Sequence, residues 1–427
     1  MTKVIICEKQ YDSEHLLGTF LDERHYDTLI EEDTDCYLQS EEENFIAFKF
    51  RKNFFSKEEQ QQAYEGLREA ATQTQNRGLA AGPKGEKCGN REWVTEFQMQ
   101  AFTFLKNVPT DTAFKVDIKK EIENLRELYA GSETSRGLVW LSAKVKQDKF
   151  DFEKWLKNVI KLTPEKIRQE SKDVEDTYVS DTTYANVVNS GIAGWFDRYP
   201  RIPYGRATAY TQNHFDKFQK AFPFLQSLDR GFKKLLPQRW SAQREFANKI
   251  DPAFLVPDTV FTTVTVNKTF RTAAHRDAGD YSAGLSNLLV LSNNGNYSGG
   301  YLILPQVRLA VNVRPGDLLL INNHEYIHGN TPIVLNDDVA ERISLVCYLR
   351  EKMIELGSKK YEDLRFEYVE SRKNNKEHRF QRKLWNGISE GMWEDQEWYD
   401  YLRNTGNSDL LAKYHPDSSQ SSLDNFF

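Results

Sequence analysis

The 427-residue chain is 39% hydrophobic and 28% charged, a globular composition with enough apolar mass for a large core, which excludes a chain disordered throughout and a fibrous one. No run of about 18 apolar residues occurs, and the opening MTKVIICEKQYDSEH has only a short apolar stretch, so neither a transmembrane helix nor a secretory signal is expected, and an intracellular protein is. The net charge of −6 hides an asymmetry: residues 1–44 carry 13 acidic against three basic side chains, so the rest nets +4 and nucleic-acid binding stays open.

In chain order, Ser56 and Glu59 form a capping box that predicts a helix through KEEQQQAYEGLREAATQ, ended by the Gly-rich loop NRGLAAGPKGEKCGN. Residues 117–176 read as mixed-charge helices with one packed face. After Gly191 the chain becomes rich in Gly, Pro and aromatics and leads into a core-facing helix carrying Phe215, Phe218, Phe222, Leu225, Leu228 and Phe232 at spacings of three and four. Beyond Pro257 the pattern turns to short strands between turn residues: TVFTTVTVN, LSNLLVLS, GGYLILP, VRLAVNV, DLLLIN and RISLVCYL. Such spacing predicts a sandwich or barrel. Charged and aromatic helices follow Lys352, then a Ser-rich tail. Cys7, Cys36, Cys88 and Cys347 form no CxxC pair and are expected as buried thiols. No internal repeat is present. The fold class expected is α+β: an N-terminal α+β region over 1–180, a β core with its supporting helix over 181–352, a basic helical segment over 353–410 and a flexible tail over 411–427.

Three of the eight histidines, His275, His324 and His328, cluster in the β region. His275 and Asp277 stand two apart in TAAHRDAGD, so both side chains can project to one side of an extended segment. A second histidine follows in EYIHGNTP, His328 or its rival His324. Two histidines and one carboxylate on one face of a metal, with other positions open, is the arrangement of non-haem Fe(II) oxygenases. Strand alternation in ERISLVCYLRE puts Arg342, Ser344, Val346, Tyr348 and Arg350 on one face. A polar face of that kind needs a ligand, and the planar fork of Arg342 with the Ser344 hydroxyl suits the distal carboxylate of 2-oxoglutarate.

The runs TVFTTVTVNKTFRTAAHRDAGD, GGYLILP, RPGDLLL and HGNTP…RISLVCYLRE, with the lead-in PRIPYGRATAYT, resemble the TET/JBP branch of Fe(II)- and 2-oxoglutarate-dependent dioxygenases, which oxidise the 5-methyl group of thymine or 5-methylcytosine in DNA. The resemblance covers roughly residues 190–352. It implies a double-stranded β-helix, a jelly-roll-like barrel braced by helices. It also implies His275, Asp277 and His328 as iron ligands, His328 being preferred over His324 by its HGNTP context, and Arg342 and Ser344 as the oxoglutarate anchor. Less directly, it implies a threonine shaping the active site at Thr265, a base-reading carboxylate at Asp280 and a base-contacting aromatic at Tyr348. Arg350 stands where some members carry histidine. A paired base keeps its methyl group in the major groove, so the nucleotide must flip. The same barrel elsewhere acts on protein side chains or metabolites, and a DNA-tethered adaptor with a structural barrel is the non-enzymatic alternative.

Three segments outside the barrel carry further expectations. Arg77 in NRGLAAGP is a candidate for the cofactor or a phosphate. Lys360, Arg365, Arg372, Lys373, Lys376, Arg379 and Arg382, between Lys359 and Lys383, are candidates for DNA phosphate contacts. The tail carries Q-x-x-L-x-x-F-F at Gln420, Leu423, Phe426 and Phe427, similar to the short peptides by which replication proteins dock on a sliding clamp. Together with the family resemblance, this tail suits a virus or phage enzyme working in the host cytoplasm.

Overall fold

A computed structural model describes residues 2–39, 45–75, 77–83, 186–198, 202–277, 279–373, 393 and 396–416. They fall in two compact units: Met1–Lys84, Ala185–Arg198 and Tyr204–Glu362 make the first, and Gly85–Tyr184, Tyr199–Pro203 and Asp363–Phe427 the second. This corrects the division expected at residue 180. The first 84 residues join the β-rich unit because their strands complete its sheets, and that unit runs on to Glu362. The helices expected over 117–176 lie outside the described residues.

The strands of the first unit are, in order, β1 Lys3–Cys7, β2 Thr28–Ile30, β3 Thr34–Leu38, β4 Ile46–Arg51, β5 Gln73–Thr74, β6 Val188–Phe196, β7 Arg206–Ala207 and β8 Thr263–Lys268. They continue as β9 Ser286–Ser292, β10 Tyr297–Gly299, β11 Leu302–Leu304, β12 Leu309–Val311, β13 Leu318–Ile321, β14 Gly329–Asn330, β15 Ile333–Leu335 and β16 Arg342–Tyr348. The large sheet runs β1-β3-β4-β13-β9-β16-β8-β6-β5, with β7 on β6, and a smaller one runs β14-β11-β12-β2. All six segments expected as strands contribute one. The N-terminal region expected as α+β has strands, but their pairing with the core was not expected: β4 pairs with β13, and β2 runs parallel to β12.

Alternation assigns the two faces of the large sheet to two cores. Ile343, Leu345 and Cys347 of β16 and Leu289 and Leu291 of β9 face the helices, against Phe224, Leu225, Leu228 and Phe232. Val346, Tyr348, Leu288 and Val290 face the other way, against Leu302, Leu304, Leu309 and Val311 of the small sheet. The unit is thus layered as helices, large sheet and small sheet, and the cavity described below opens between the sheets. β16 lies centrally, held by β8 on one side and β9 on the other.

Preceded by a short helix Ala209–Asn213, the expected aromatic helix is two, Phe215–Lys220 and Phe222–Leu235. Pro223, at the start of the last, lacks the N–H that would continue the helix before it, and the chain restarts there. The capping box forms, with Ser56 Oγ accepting from Glu59 N–H and the Glu59 carboxylate accepting from Ser56 N–H. The helix it opens, Lys57–Leu67, ends earlier than expected, passing through a 3-10 turn into β5. In the second unit, Tyr368, Trp393, Trp398 and Tyr401 pack ring against ring, with centroids 5.0–5.9 Å apart.

Gly191 on β6 lies where the Ala70 carbonyl crosses the strand: a Cβ there would sit 1.6 Å from that oxygen. Gly191→Ala must push strand or crossing loop aside, and the expected loss is at or above the upper end of about 1–3 kcal/mol for overpacking. Urea unfolding of both proteins measures it.

Candidate active site

His275 and His328 form an isolated antiparallel bridge, His275 N–H donating to His328 C=O at 3.0 Å and His328 N–H to His275 C=O at 2.9 Å. Directly opposed residues present their side chains together, and the two imidazole centroids stand 4.3 Å apart. Each Nδ1 donates to a carbonyl two residues back, His275 to Ala273 at 2.8 Å and His328 to Tyr326 at 3.0 Å. A carbonyl only accepts, so the proton is fixed on Nδ1 and both Nε2 atoms are left for a metal. Asp277 completes the group: Oδ1 lies 3.4 Å from His275 Nε2 and Oδ2 3.9 Å from His328 Nε2. The three ligand atoms fall within 4.8 Å of one another, a set that fits one metal ion. His324 is exposed on the turn between and joins no such group among the described residues.

Burial lowers the pKa of His328 to about 4, helped by His275, which keeps the ring neutral as a ligand must be. Burial also opposes charge on His275, but the Asp277 carboxylate outweighs it and the net shift is upward. For Asp277 the burial penalty is overcome by the His275 hydrogen bond and the charge of His328, holding its pKa at about 2.

The group opens on a cavity of about 470 Å³, in the range of small-molecule sites. Arg342 and Ser344 of β16 line it, with Asn267 of β8 opposite Ser344 in register. Arg342 is 2% exposed; its Nη2 donates to Gly300 C=O at 3.2 Å while its Nε is buried without a partner. No carboxylate pairs with it among the described residues, and burial draws its pKa down. A desolvated guanidinium with an idle donor fits a ligand carboxylate. Gly300 makes the room: its φ is +71°, and a Cβ there would lie 2.9 Å from Arg342 Nε.

Further along the same face, Thr265 Oγ1 lies 3.4 Å from Tyr348 Oη, and both line the cavity. Asp280 and Arg350 form a second isolated bridge. Asp280 Oδ2 accepts from Ser286 Oγ at 2.6 Å; Arg350 Nε donates to Asp197 Oδ1 at 2.7 Å, with the guanidinium over the Phe196 ring. Burial, and next the Asp277 charge, push the Asp280 pKa up to about 8, so this carboxyl is neutral at pH 7. The structure therefore brings together every residue expected of the metal, oxoglutarate and base sites.

Arg77 lines the cavity as well, from a segment of the chain far from the strands; its Nη2 donates to Gly191 C=O at 3.1 Å and its Nε is buried without a partner. Asn267 and Asn323 were not expected. Asn267 was legible in part, two residues beyond Thr265 on one strand and hence on its face. Nothing in the sequence marks Asn323. Of the expected phosphate contacts, Arg365 is corrected: it is buried in the second unit, donating from Nε to Pro203 C=O at 2.9 Å and stacked 3.7 Å from the Trp393 ring centroid, so its fork is unavailable to DNA. Lys360 is exposed. The side chains of Arg372 and Lys373, and Lys376, Arg379, Arg382, Gln420, Leu423, Phe426 and Phe427, lie outside the described residues.

Residues 195–351 match the Tet_JBP family, described as the oxygenase domain of the 2OGFeDO superfamily. The segment is similar to that oxygenase domain. Its cofactors are accordingly Fe(II) and 2-oxoglutarate, and the His275–Asp277–His328 group and the idle donor of Arg342 fit them. The chain is 39% identical over 165 residues to the bifunctional helicase and thymine dioxygenase JBP2 of Trypanosoma brucei brucei, covering 38% of this chain and 15% of that protein. It is 38% identical over 173 residues to the thymine dioxygenase JBP1 of the same organism, covering 38% and 19%. The chain thus spans less than a fifth of the length of these relatives. The crystal structure of NgTET1 in complex with 5mC DNA aligns over 42% of this chain and 68% of that one, at 20% identity and a TM-score of 0.34.

Two outcomes are expected. His275→Ala, Asp277→Ala and His328→Ala should each weaken Mn(II) binding by more than about 100-fold, beyond the loss typical of an outer partner, while His324→Ala leaves it within about twofold; calorimetric titration measures both. For Asp280, a folded pKa raised above the unfolded value gives stability that is full at low pH and lost as pH rises toward about 8. The metal-free protein should therefore lose up to about 1.4 kcal/mol per pH unit from this group across that window, and Asp280→Asn should flatten the slope in urea unfolding at pH 5 to 9.

Proposed function

We propose that the protein hydroxylates the 5-methyl group of a pyrimidine flipped out of DNA, thymine being the favoured base, on a double-stranded β-helix formed by the two sheets. The observation that carries this reading is that one cavity holds both the metal and carboxylate-binding set and a second polar group, Asp280, Tyr348 and Arg350. Thymine is supported by the relatives, which are named thymine dioxygenases.

The chemistry supplied when Fe(II) and 2-oxoglutarate are bound would be hydroxylation of a C–H bond by dioxygen, one oxygen atom entering the product and the other the succinate formed as 2-oxoglutarate loses CO2. The chain's own residues bind and orient. His275, Asp277 and His328 would hold the metal, whose three protein bonds are fewer than it can accept. Arg342 and Ser344 take the distal carboxylate, which gives the guanidinium the carboxylate partner it has nowhere among the described residues. Asp280 Oδ2 accepts from Ser286, and its carboxyl, whose pKa burial raises, offers the base an acceptor when ionised and an O–H donor when protonated. A pyrimidine edge presents the complementary pair. Tyr348 and Arg350, the latter pinned by Asp197 and Phe196, line the space for the base and offset an unstacking cost of a few kcal/mol.

The test is mass spectrometry of nucleosides from DNA incubated with the protein, Fe(II) and 2-oxoglutarate. 5-Hydroxymethyluracil is the expected product; 5-hydroxymethylcytosine from methylated DNA alone would move the assignment to 5-methylcytosine. Succinate release driven by peptides or free amino acids instead of DNA would overturn it. Arg342→Ala should raise the KM for 2-oxoglutarate about 10- to 100-fold, as a charge-assisted contact of roughly 1.5–3 kcal/mol is lost.

A further inference from the structure

We propose that Asn323 is a positioning residue of the metal centre: it occupies one oxygen of Asp277 and holds that carboxylate as a one-oxygen ligand. The inference rests on the reading of His275, Asp277 and His328 as the metal-binding set. Asn323 is 1% exposed, in the segment between β13 and β14, and it lines the cavity. It grips Asp277 twice. Its main-chain carbonyl accepts from the Asp277 N–H at 3.0 Å, and its side-chain Nδ2 donates to Asp277 Oδ2 at 2.9 Å.

The amide can only point this way, because a flipped amide would set its oxygen against the carboxylate oxygen. The remaining Oδ1 is buried without a partner, so the side chain satisfies Asp277 at the expense of its own acceptor. The turn that carries it is itself fixed: Asn322 C=O accepts from Tyr326 N–H at 3.0 Å, and Asn322 Oδ1 from Glu325 N–H at 3.3 Å. Asn323 therefore reaches Asp277 from a rigid support.

The consequence is a matter of coordination number. A carboxylate with two free oxygens can chelate a metal through both and take two positions, whereas one with Oδ2 engaged binds through Oδ1 alone. A two-histidine, one-carboxylate site works only while positions opposite the protein ligands stay open for the bidentate co-substrate and for dioxygen. Asn323 keeps one of those positions from being filled by the protein itself.

The experiment compares the full-length protein with Asn323→Leu, which keeps the volume but has no donor, and with Asn323→Ala. Mn(II) affinity is read by calorimetry, and the visible absorption of the Co(II)-loaded protein is read during titration with 2-oxoglutarate. Both variants are expected to lose about 10- to 100-fold in Mn(II) affinity, the range typical of an outer-shell partner. The Co(II) band should need at least about tenfold more 2-oxoglutarate to shift in Asn323→Leu than in the wild type, since the freed oxygen competes for the same position. A residue that merely fills space would behave otherwise: Asn323→Leu would match the wild type in both readouts and only Asn323→Ala would fall, and that result overturns the proposal. Wild-type protein that binds no Mn(II) would instead sink the reading of the metal set, and this proposal with it.

Discussion

The two backbone hydrogen bonds between His275 and His328 are the constraint on which the site depends. They bring together segments more than fifty residues apart in sequence, oppose the rings, and leave each Nδ1 near a carbonyl of its own strand. Tautomer, orientation and spacing of both imidazoles thus follow from main-chain geometry, which no side-chain change nearby can easily undo. The segment carrying His275 is braced from its other side by the N-terminal part of the chain: Ala274 exchanges hydrogen bonds with Gly18 and Thr19, and Arg271 donates to Leu21 C=O at 2.7 Å. Arg276, between the two ligands, is tied outward to Glu14 and to the Glu325 carbonyl. That keeps its charge away from the metal position.

Around this frame the cavity is built from charges out of water and short of partners. Arg342 and Arg77 each bury an idle Nε, and Asp280 is made neutral by the same desolvation. A buried unpaired cation is unfavourable in the free protein. The stability forgone there is recovered when an anionic ligand arrives, which is how a site comes to prefer its ligand over water. Arg350 is the contrast: with Asp197 as its ion pair it is already satisfied, and so acts as a rigid wall with remaining donors rather than an empty anion site.

The legible parts of the sequence were those governed by period. Alternation along β16 gave the face bearing Arg342, Ser344 and Tyr348, and the spacing of His275 and Asp277 gave two ligands. Period could not choose between His324 and His328, which share one segment; the choice comes from a turn fixed by Asn322, which leaves His324 exposed while His328 enters the bridge. Within the expected N-terminal α+β region no individual strand was placed, because the strands are short and, although β1, β3 and β4 pair with one another, they join the rest only at β13, as β2 does at β12, pairings no local pattern announces. Arg365 was misjudged because a basic run says nothing of which guanidinium meets an indole.

The placement of β2 on β12 and of β4 on β13 has a consequence for how the molecule comes into being. The large and small sheets each join a strand from the first sixth of the chain to a neighbour from the last third. A ribosome releases the former long before the latter exist, so through most of synthesis β2 must wait without β12, and β4, covered by β3 on one edge, waits with the other open. High contact order of this sort slows folding and leaves strand edges open to wrong partners. The concentration of acidic residues in the first 44 positions then has a second use, as mutual repulsion that keeps waiting chains apart until β12 and β13 emerge.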